Sequence, residues 1–481
     1  MNIRPIAYFC AEYAFDSKIS AYAGGLGVLA GDYLKEASDQ NLPVVAIGLM
    51  YGDTTATPIL EIDVPIQDQN IKVKVYKHMV GTIPVFLLGH DKITRQLYTS
   101  DKETRLKQEI ILGIGGLRAL VALDVHPLIY HLNEGHSAFL ALELIRHEMK
   151  VHKYSFEEAL AITRKRIIFT NHTLVAAGQE IYSNDLVALM LTGYSREIGV
   201  PISDIVKLGL VQESSVFSMT MLSLRMSENI NAVSILHARK AAEIWTDHTM
   251  IPITNGIHIK SWDQVGDNLI ENHQKQKRLL ISKFNWDPNI LVIGWARRFV
   301  EYKRPLAILE NLERLKNLPI KIIYSGEPHE SDIRGKELVK ELFSKLGDNI
   351  VYIPNYNSEV AKLMVSGCDI WLNTPIVGFE ACGTSGMKAA LNGTLPLTTR
   401  DGWIDEVELY KIGWLLENDN LNNNFLDLLE QNIIPMYYKN KSLWQEHMHN
   451  ARALIINQFS TARMLGEYKE RFYKPLGVSW S

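Results

Sequence analysis

The chain has 481 residues, 47% hydrophobic and 22% charged, a composition that supports two or three globular domains. Its 50 basic and 54 acidic side chains leave a net charge of −4, which argues against nucleic acid as a partner. Three cysteines, Cys10, Cys368 and Cys382, are too few and too scattered for a disulfide framework or a zinc site, so no metal is expected and a reducing, cytoplasmic location fits. No apolar run approaches the length that spans a bilayer, and the N-terminus MNIRPIAYFCAEY has no signal-peptide pattern, so no membrane partner is expected.

Along the chain, the first predicted strand is Ile6 to Ala11. Gly24, Gly25 and Gly27 follow as an expected tight turn, then a helix from about Val28 to Ser38 with apolar Val28, Leu29, Tyr33, Leu34 and Ala37 at helical spacing. The strand PVVAIGLMY completes a parallel α/β unit. The glycines match a dinucleotide fingerprint only in part, since they do not come straight off the strand and no acidic residue closes a second one. Residues 59–98 look β-rich, and the alternation in IKVKVYKH predicts a half-exposed antiparallel hairpin inserted in the domain.

Two later strands deliver polar residues at their carboxyl ends, where open parallel sheets bind ligands. One brings Asn133, Glu134, Gly135 and His136; the other brings Asn171, His172 and Thr173. The segment MIPITNGIHIKSW supplies Asn255 and His258, and the polar stretch 263–283 is the expected domain boundary. The second half opens on ILVIGWARRF, followed by EYKRP. Four cations in eight residues, Arg297, Arg298, Lys303 and Arg304, read either as an anion-binding cluster or as a solvated basic helix start. A regular βαβ array then runs to about residue 420, and the tail is helical.

The densest stretch is GFEACGTSGMKAALNG, residues 378–393. A carboxylate, Glu380, precedes the small turn Gly383-Thr384-Ser385-Gly386, and Lys388 enters the following helix. A lysine near a helix N-terminus among apolar residues is expected to have a depressed pKa, as Schiff-base chemistry requires. A plain helix cap with a surface lysine is the competing reading.

Taken in order, AGGLGVLAGDYLKEASD, HLNEGH, TNHT, TNGIH, RRFVEYKRP, NYN and FEACGTSGMKAALNG resemble the landmarks of the α-glucan phosphorylases, in their short prokaryotic form. The resemblance covers most of the chain from Ile6 to Glu406. It implies an α/β, GT-B fold with two Rossmann-like parallel domains facing a deep cleft. The expected division is 1–265 for the N-terminal domain, 266–420 for the domain that binds cofactor and phosphate, and 421–481 for a helical segment returning to the first domain. It also implies pyridoxal 5′-phosphate (PLP) held as a Schiff base by Lys388, its phosphate facing the substrate phosphate. The implied reaction is retaining phosphorolysis of an α-1,4-glucan (glycogen, starch or maltodextrin) by inorganic phosphate to α-glucose 1-phosphate. A homodimer is the family's habit.

Carried over by motif position, the resemblance makes Lys388, Arg298, Lys303, His172 and Glu380 the catalytic set. Arg298 and Lys303 would bind the substrate phosphate, helped by the Gly25 N–H. Arg297, Thr384, Ser385, Tyr356 and Gly24 would surround the cofactor, and the His172 carbonyl would lie near the anomeric carbon. Gly25, Leu26, Asn133, Glu134, Asn255, Cys382 and Gly383 would contact substrate. The chain departs from the pattern at Ala23, Arg297, Val300, Cys382, Ser385 and Gly386. No N-terminal phosphorylation control is expected. Two further readings stay open: a nucleotide-sugar glucosyltransferase of the glycogen-synthase type, whose motif lacks a lysine at position 388, and a non-catalytic glucan-binding relative.

Overall fold

The structure, a computed structural model, describes residues 4–15, 24–174, 179–211, 214–330 and 332–478. The strands in chain order are β1 (Ile6–Phe9), β2 (Val44–Leu49), β3 (Leu60–Ile66), β4 (Gln69–Val80), β5 (Ile83–Gly89), β6 (Ile129–Asn133), β7 (Ile167–Asn171), β8 (Ile181–Ser183) and β9 (Val216–Ser218). They continue with β10 (Asn229–Ala232), β11 (Ile251–Pro252), β12 (Leu291–Ala296), β13 (Ile320–Ser325), β14 (Ile350–Ile353), β15 (Ile370–Asn373), β16 (Leu395–Thr398) and β17 (Trp414–Leu415). Contacts divide the chain into two compact units. Unit 1 comprises Met1–Val233, His237–Ile253 and Met464–Ser481; unit 2 comprises Ser234–Leu236 and Thr254–Arg463.

Unit 1 is built on a nine-stranded sheet, among the described residues, in the order β11-β10-β7-β6-β1-β2-β5-β4-β3. From β11 to β5 every neighbour is parallel. These strands read as continuous apolar runs because both of their faces are covered. Successive side chains point to opposite faces, so Ala7, Phe9, Val45 and Ile47 join one core while Ile6, Tyr8, Val44 and Ala46 join the other. The expected half-exposed antiparallel hairpin is present in the β-rich stretch and belongs to the sheet of unit 1. β5 pairs with β2, and β4 and β3 extend the same sheet antiparallel. Gly81 carries the β4–β5 turn at φ +56°, and a Cβ there would sit 2.1 Å from Ser38 Oγ.

The second core of unit 1 is closed by residues from the far end of the chain: Met464, Leu465, Tyr468, Phe472 and Tyr473 are all buried in it. A hydrogen-bonded network fixes them there. His131 Nδ1 meets the Tyr473 hydroxyl at 2.8 Å and its Nε2 meets Thr170 Oγ1 at 2.7 Å. Tyr33 and Tyr473 share a 2.7 Å contact, and Asn231 Nδ2 donates to the Tyr468 hydroxyl at 3.0 Å. Buried polar groups satisfied in this way specify one arrangement of the core.

Unit 2 holds a six-stranded, all-parallel sheet, β14-β13-β12-β15-β16-β17. The polar stretch 263–283 carries a helix, Leu269–Ile281, rather than a linker. Its buried face includes Leu269, Leu280 and Ile281 but also His273 and Lys277, which disguises it as solvent-exposed sequence. Lys277 is tolerated inside because Asp369 lies 2.6 Å from its Nζ and the Tyr437 hydroxyl another 2.6 Å away. Of the expected tail segment 421–481, residues up to Arg463 cluster with unit 2 and only Met464–Ser481 with unit 1.

Candidate active site

In unit 2 the polypeptide leaves the carboxyl end of β12 at Arg297. Its guanidinium is gripped from two sides, by Asn373 at the end of β15 and by Glu380. The Glu380 contact is bidentate, 2.9 Å from Nη1 to Oε2 and 2.6 Å from Nη2 to Oε1, with both side chains at least nine-tenths buried. Burial alone would raise the Glu380 pKa, but the Arg297 and Lys303 charges hold it below the usual carboxylate range. The turn beneath the pair favours glycine, since a Cβ on Gly383 would lie 1.9 Å from Glu380 Oε1 and 3.3 Å from Arg297 Nη2 and would have to displace them.

The four cations of the RRFVEYKR stretch therefore divide. Arg297 is consumed by Glu380. Arg304 is structural, at φ +45°, donating to the carbonyls of Thr374, Pro375 and Asn418 at 2.7–2.9 Å. Arg298 is exposed and Lys303 half-buried, and among the described residues neither has a carboxylate within ion-pair reach. Burial pushes the Lys303 pKa down to about 7, the Arg297 charge adding to the effect and Glu380 opposing it. Basic side chains without a carboxylate in reach can attract an anion.

The helix Ser385–Leu391 carries Lys388, 93% of whose surface is buried since its exposure is 7%. Its Nζ lies 4.1 Å from the centre of the Trp262 indole. The surface-lysine reading is thereby excluded. Lys388 falls in the last turn of a helix only seven residues long, so the helix dipole has little hold on it. Thr384 precedes that helix with no capping side-chain bond, and Ser385 Oγ accepts from Trp371 Nε1 at 3.3 Å. A small hollow beside them is lined by Trp371, Asn373, Ser385, Gly386 and Trp403. Asn255 Nδ2 donates to the Cys382 carbonyl at 3.2 Å, and the Cys382 thiol is buried. Tyr356 lies in the loop after β14, 36% exposed.

In unit 1, β6 and β7 run parallel with Asn133 opposite Thr170, so their polar ends emerge side by side. His172 Nε2 and Asn133 Oδ1 are 2.7 Å apart, and Asn133 Nδ2 donates to Cys10 Sγ at 3.3 Å. Glu134 is 7% exposed and accepts from the His172 N–H at 3.0 Å. Burial lowers the His172 pKa to about 3, which makes the imidazole neutral at physiological pH. The glycines 24, 25 and 27 do not form a separate turn: the helix starts at Gly25 and runs to Asp39, with Leu26 in its first turn. Gly24 is its N-cap, and the Gly24 N–H donates to Glu12 Oε2 at 3.1 Å. The departure at Ala23 lies outside the described residues.

A family profile described as carbohydrate phosphorylase matches residues 89–277 and 335–413. The chain belongs to the carbohydrate phosphorylase family. A maltodextrin phosphorylase from Thermococcus litoralis is 34% identical over 98% of this chain and 70% of its own length. A glycogen phosphorylase from Mycobacterium tuberculosis is 32% identical over 99% and 71%. An uncharacterised protein from Methanocaldococcus jannaschii is 29% identical over 98% of this chain and all of its own. The two parallel-sheet units are those of the GT-B class, and the protein is a glycosyltransferase.

The carbohydrate phosphorylases generally use PLP. The residues around Lys388 fit that group: a buried primary amine, an aromatic face beside it, and the hydroxyls of Thr384 and Ser385 at the helix start. Arg297, expected on the cofactor phosphate, forks onto Glu380 through both terminal nitrogens, the planar geometry that suits a guanidinium to a carboxylate. Trp262 and Asn373 were not singled out from sequence, because their partners Lys388 and Arg297 lie far away along the chain. Among the described residues, no helix is long and apolar enough to cross a membrane.

Proposed function

We propose that this carbohydrate phosphorylase acts on α-1,4-glucans, cleaving the non-reducing end with inorganic phosphate and releasing α-glucose 1-phosphate with retention. The observation that carries this reading is the pair of basic side chains, Arg298 and Lys303, that among the described residues have no carboxylate within ion-pair reach beside the buried Arg297–Glu380 fork. They would seat the substrate phosphate. It would pass its proton to the departing glucan oxygen, its negative charge would stabilise positive charge developing at the sugar, and one of its oxygens would then bond to the same face. A bound phosphate would draw the Lys303 proton back on, because an added negative charge opposes the burial that depresses its pKa.

Glu380, fixed by Arg297, keeps lone pairs for sugar hydroxyls, and Asn255, Cys382, Gly383, Asn133 and the His172 carbonyl are assigned to the glucosyl unit. The Gly25 N–H is assigned to the substrate phosphate. Lys388 would hold PLP, with Thr384, Ser385, Gly24 and Tyr356 about it. When bound, that group supplies a second phosphate able to exchange a proton with the substrate phosphate. The relatives named maltodextrin and glycogen phosphorylase support a polymeric α-glucan as substrate. The three buried free cysteines support a reducing, cytoplasmic setting, and a homodimer goes with the family reading.

The test is phosphorolysis of glycogen, starch and maltodextrins, with and without added PLP, followed as glucose 1-phosphate. Borohydride reduction and peptide mapping should place a pyridoxyl group on Lys388. Glucosyl transfer from ADP-glucose or UDP-glucose to a primer, with none from glucose 1-phosphate, would overturn the reading in favour of a nucleotide-sugar transferase.

A further inference from the structure

Glu134 stands out on the backbone. It sits at φ +73°, ψ 168°, a region occupied almost only by glycine. Such a residue persists only where its surroundings over-determine it. The strained conformation turns the side chain back across the ends of two neighbouring strands. Glu134 Oε1 accepts from the Gly135 N–H at 3.1 Å. Its Oε2 accepts from the His172 N–H at 3.0 Å and from Thr173 Oγ1 at 3.1 Å. Its own N–H is bonded to the Thr170 carbonyl at 3.0 Å. Among the described residues no cation lies within ion-pair reach of this buried carboxylate. Three donors are its whole compensation, two of them on the segment that follows β7.

We infer that Glu134 is not a substrate ligand but the positioning residue of His172. It clamps the peptide on one side of His172 and the hydroxyl of the next residue on the other, while Asn133 takes the ring. His172 is thus held at its nitrogen, its side chain and its following residue, which restrains the peptide that carries its carbonyl. The inference rests on the reading of His172 as a contact of the glucosyl unit. Glutamate suits the role because one carboxylate accepts on both oxygens; a glutamine of the same shape would turn its NH₂ toward a donor already there. Gly135 lets the chain continue, since a Cβ there would meet the Met219 carbonyl carbon at 3.3 Å.

The experiment compares E134Q and E134D with the wild-type holoenzyme. The clamp predicts that E134Q lowers kcat roughly 10- to 100-fold with KM for phosphate and glucan within twofold, because a misplaced group costs turnover rather than ground-state binding. E134D, which keeps the charge, is expected to recover part of the loss. Amide exchange at His172 should speed up in E134Q while strands β6 and β7 stay protected. A rise in KM for glucan at unchanged kcat would overturn the inference and make Glu134 a direct substrate ligand. Unchanged kcat together with unchanged His172 exchange would also overturn it. Should the wild type fail to phosphorolyse any glucan, the functional proposal falls; the exchange measurement still decides whether the clamp exists.

Discussion

Replacing Arg297 by methionine leaves Glu380 buried beside an apolar chain, with both oxygens stripped of guanidinium donors. The side chains expose only 7% and 10% of their surface, so solvent cannot substitute. Breaking a pair of this kind by removing one partner costs about 3–5 kcal/mol. Lys303, which also lowers the Glu380 pKa, compensates in part and favours the lower end of that range. For a unit of this size about 3 kcal/mol corresponds to a Tm fall of roughly 6–12 °C. Removing both charges, in R297M/E380Q, should restore most of the loss, because the penalty comes from the orphaned carboxylate more than from the missing attraction. The assay is calorimetry or urea unfolding of the two single variants and the double, run as a cycle. In R297M the Lys303 pKa should also rise above about 7, since the repulsion from Arg297 is gone. The reasoning is refuted if R297M unfolds within about 1 kcal/mol of wild type, or if the double variant is no more stable than R297M.

Gly383→Ala should disturb the same fork from below, costing about 1–3 kcal/mol in unfolding free energy as the Cβ displaces Glu380; a Tm equal to wild type would show that the turn yields freely. Lys303, at about 7 in the folded protein against an ordinary 10.5, binds its proton more weakly folded than unfolded. Stability should therefore rise with pH from about 7 upward through that window, and K303M should flatten the slope measured by urea midpoints. Inorganic phosphate should raise the Lys303 pKa, followed by the pH dependence of lysine labelling. Burial pushes the Cys10 thiol up to about 12 and raises Cys368 and Cys382 as well, so Ellman's reagent should find no reactive thiol until denaturant is added.

Most strands were legible because parallel strands buried on both faces are unbroken apolar runs, as in VVAIGL and LVIGWA. β10 escaped: NINA is four residues long and half asparagine, and it earns its place by pairing with β7. The helix Leu269–Ile281 escaped because its buried face contains a lysine and a histidine, whose partner Asp369 lies 92 positions from Lys277. The strand-end residues of the site could be named from local pattern, since each follows an apolar run directly. Their pairings could not. Nothing local to Arg297 shows that Glu380 takes it, or that Arg298 and Lys303 remain for an anion. The glycines at 25 and 27 suggested a turn by composition, whereas the backbone there accepts a helix.

The tyrosines at 468 and 473 have a consequence for how the protein is made. Their partners Tyr33, His131, Thr170 and Asn231 are all translated long before them. Those partners must wait for their final contacts until Thr254–Arg463 of unit 2 has been translated. Such delayed closure lengthens the window in which a chaperone can engage the chain and in which strands can pair wrongly. Trimming back to Arg463 should accordingly yield a protein that is synthesised normally yet aggregates, even though Arg297, Arg298, Lys303 and Glu380 are all retained.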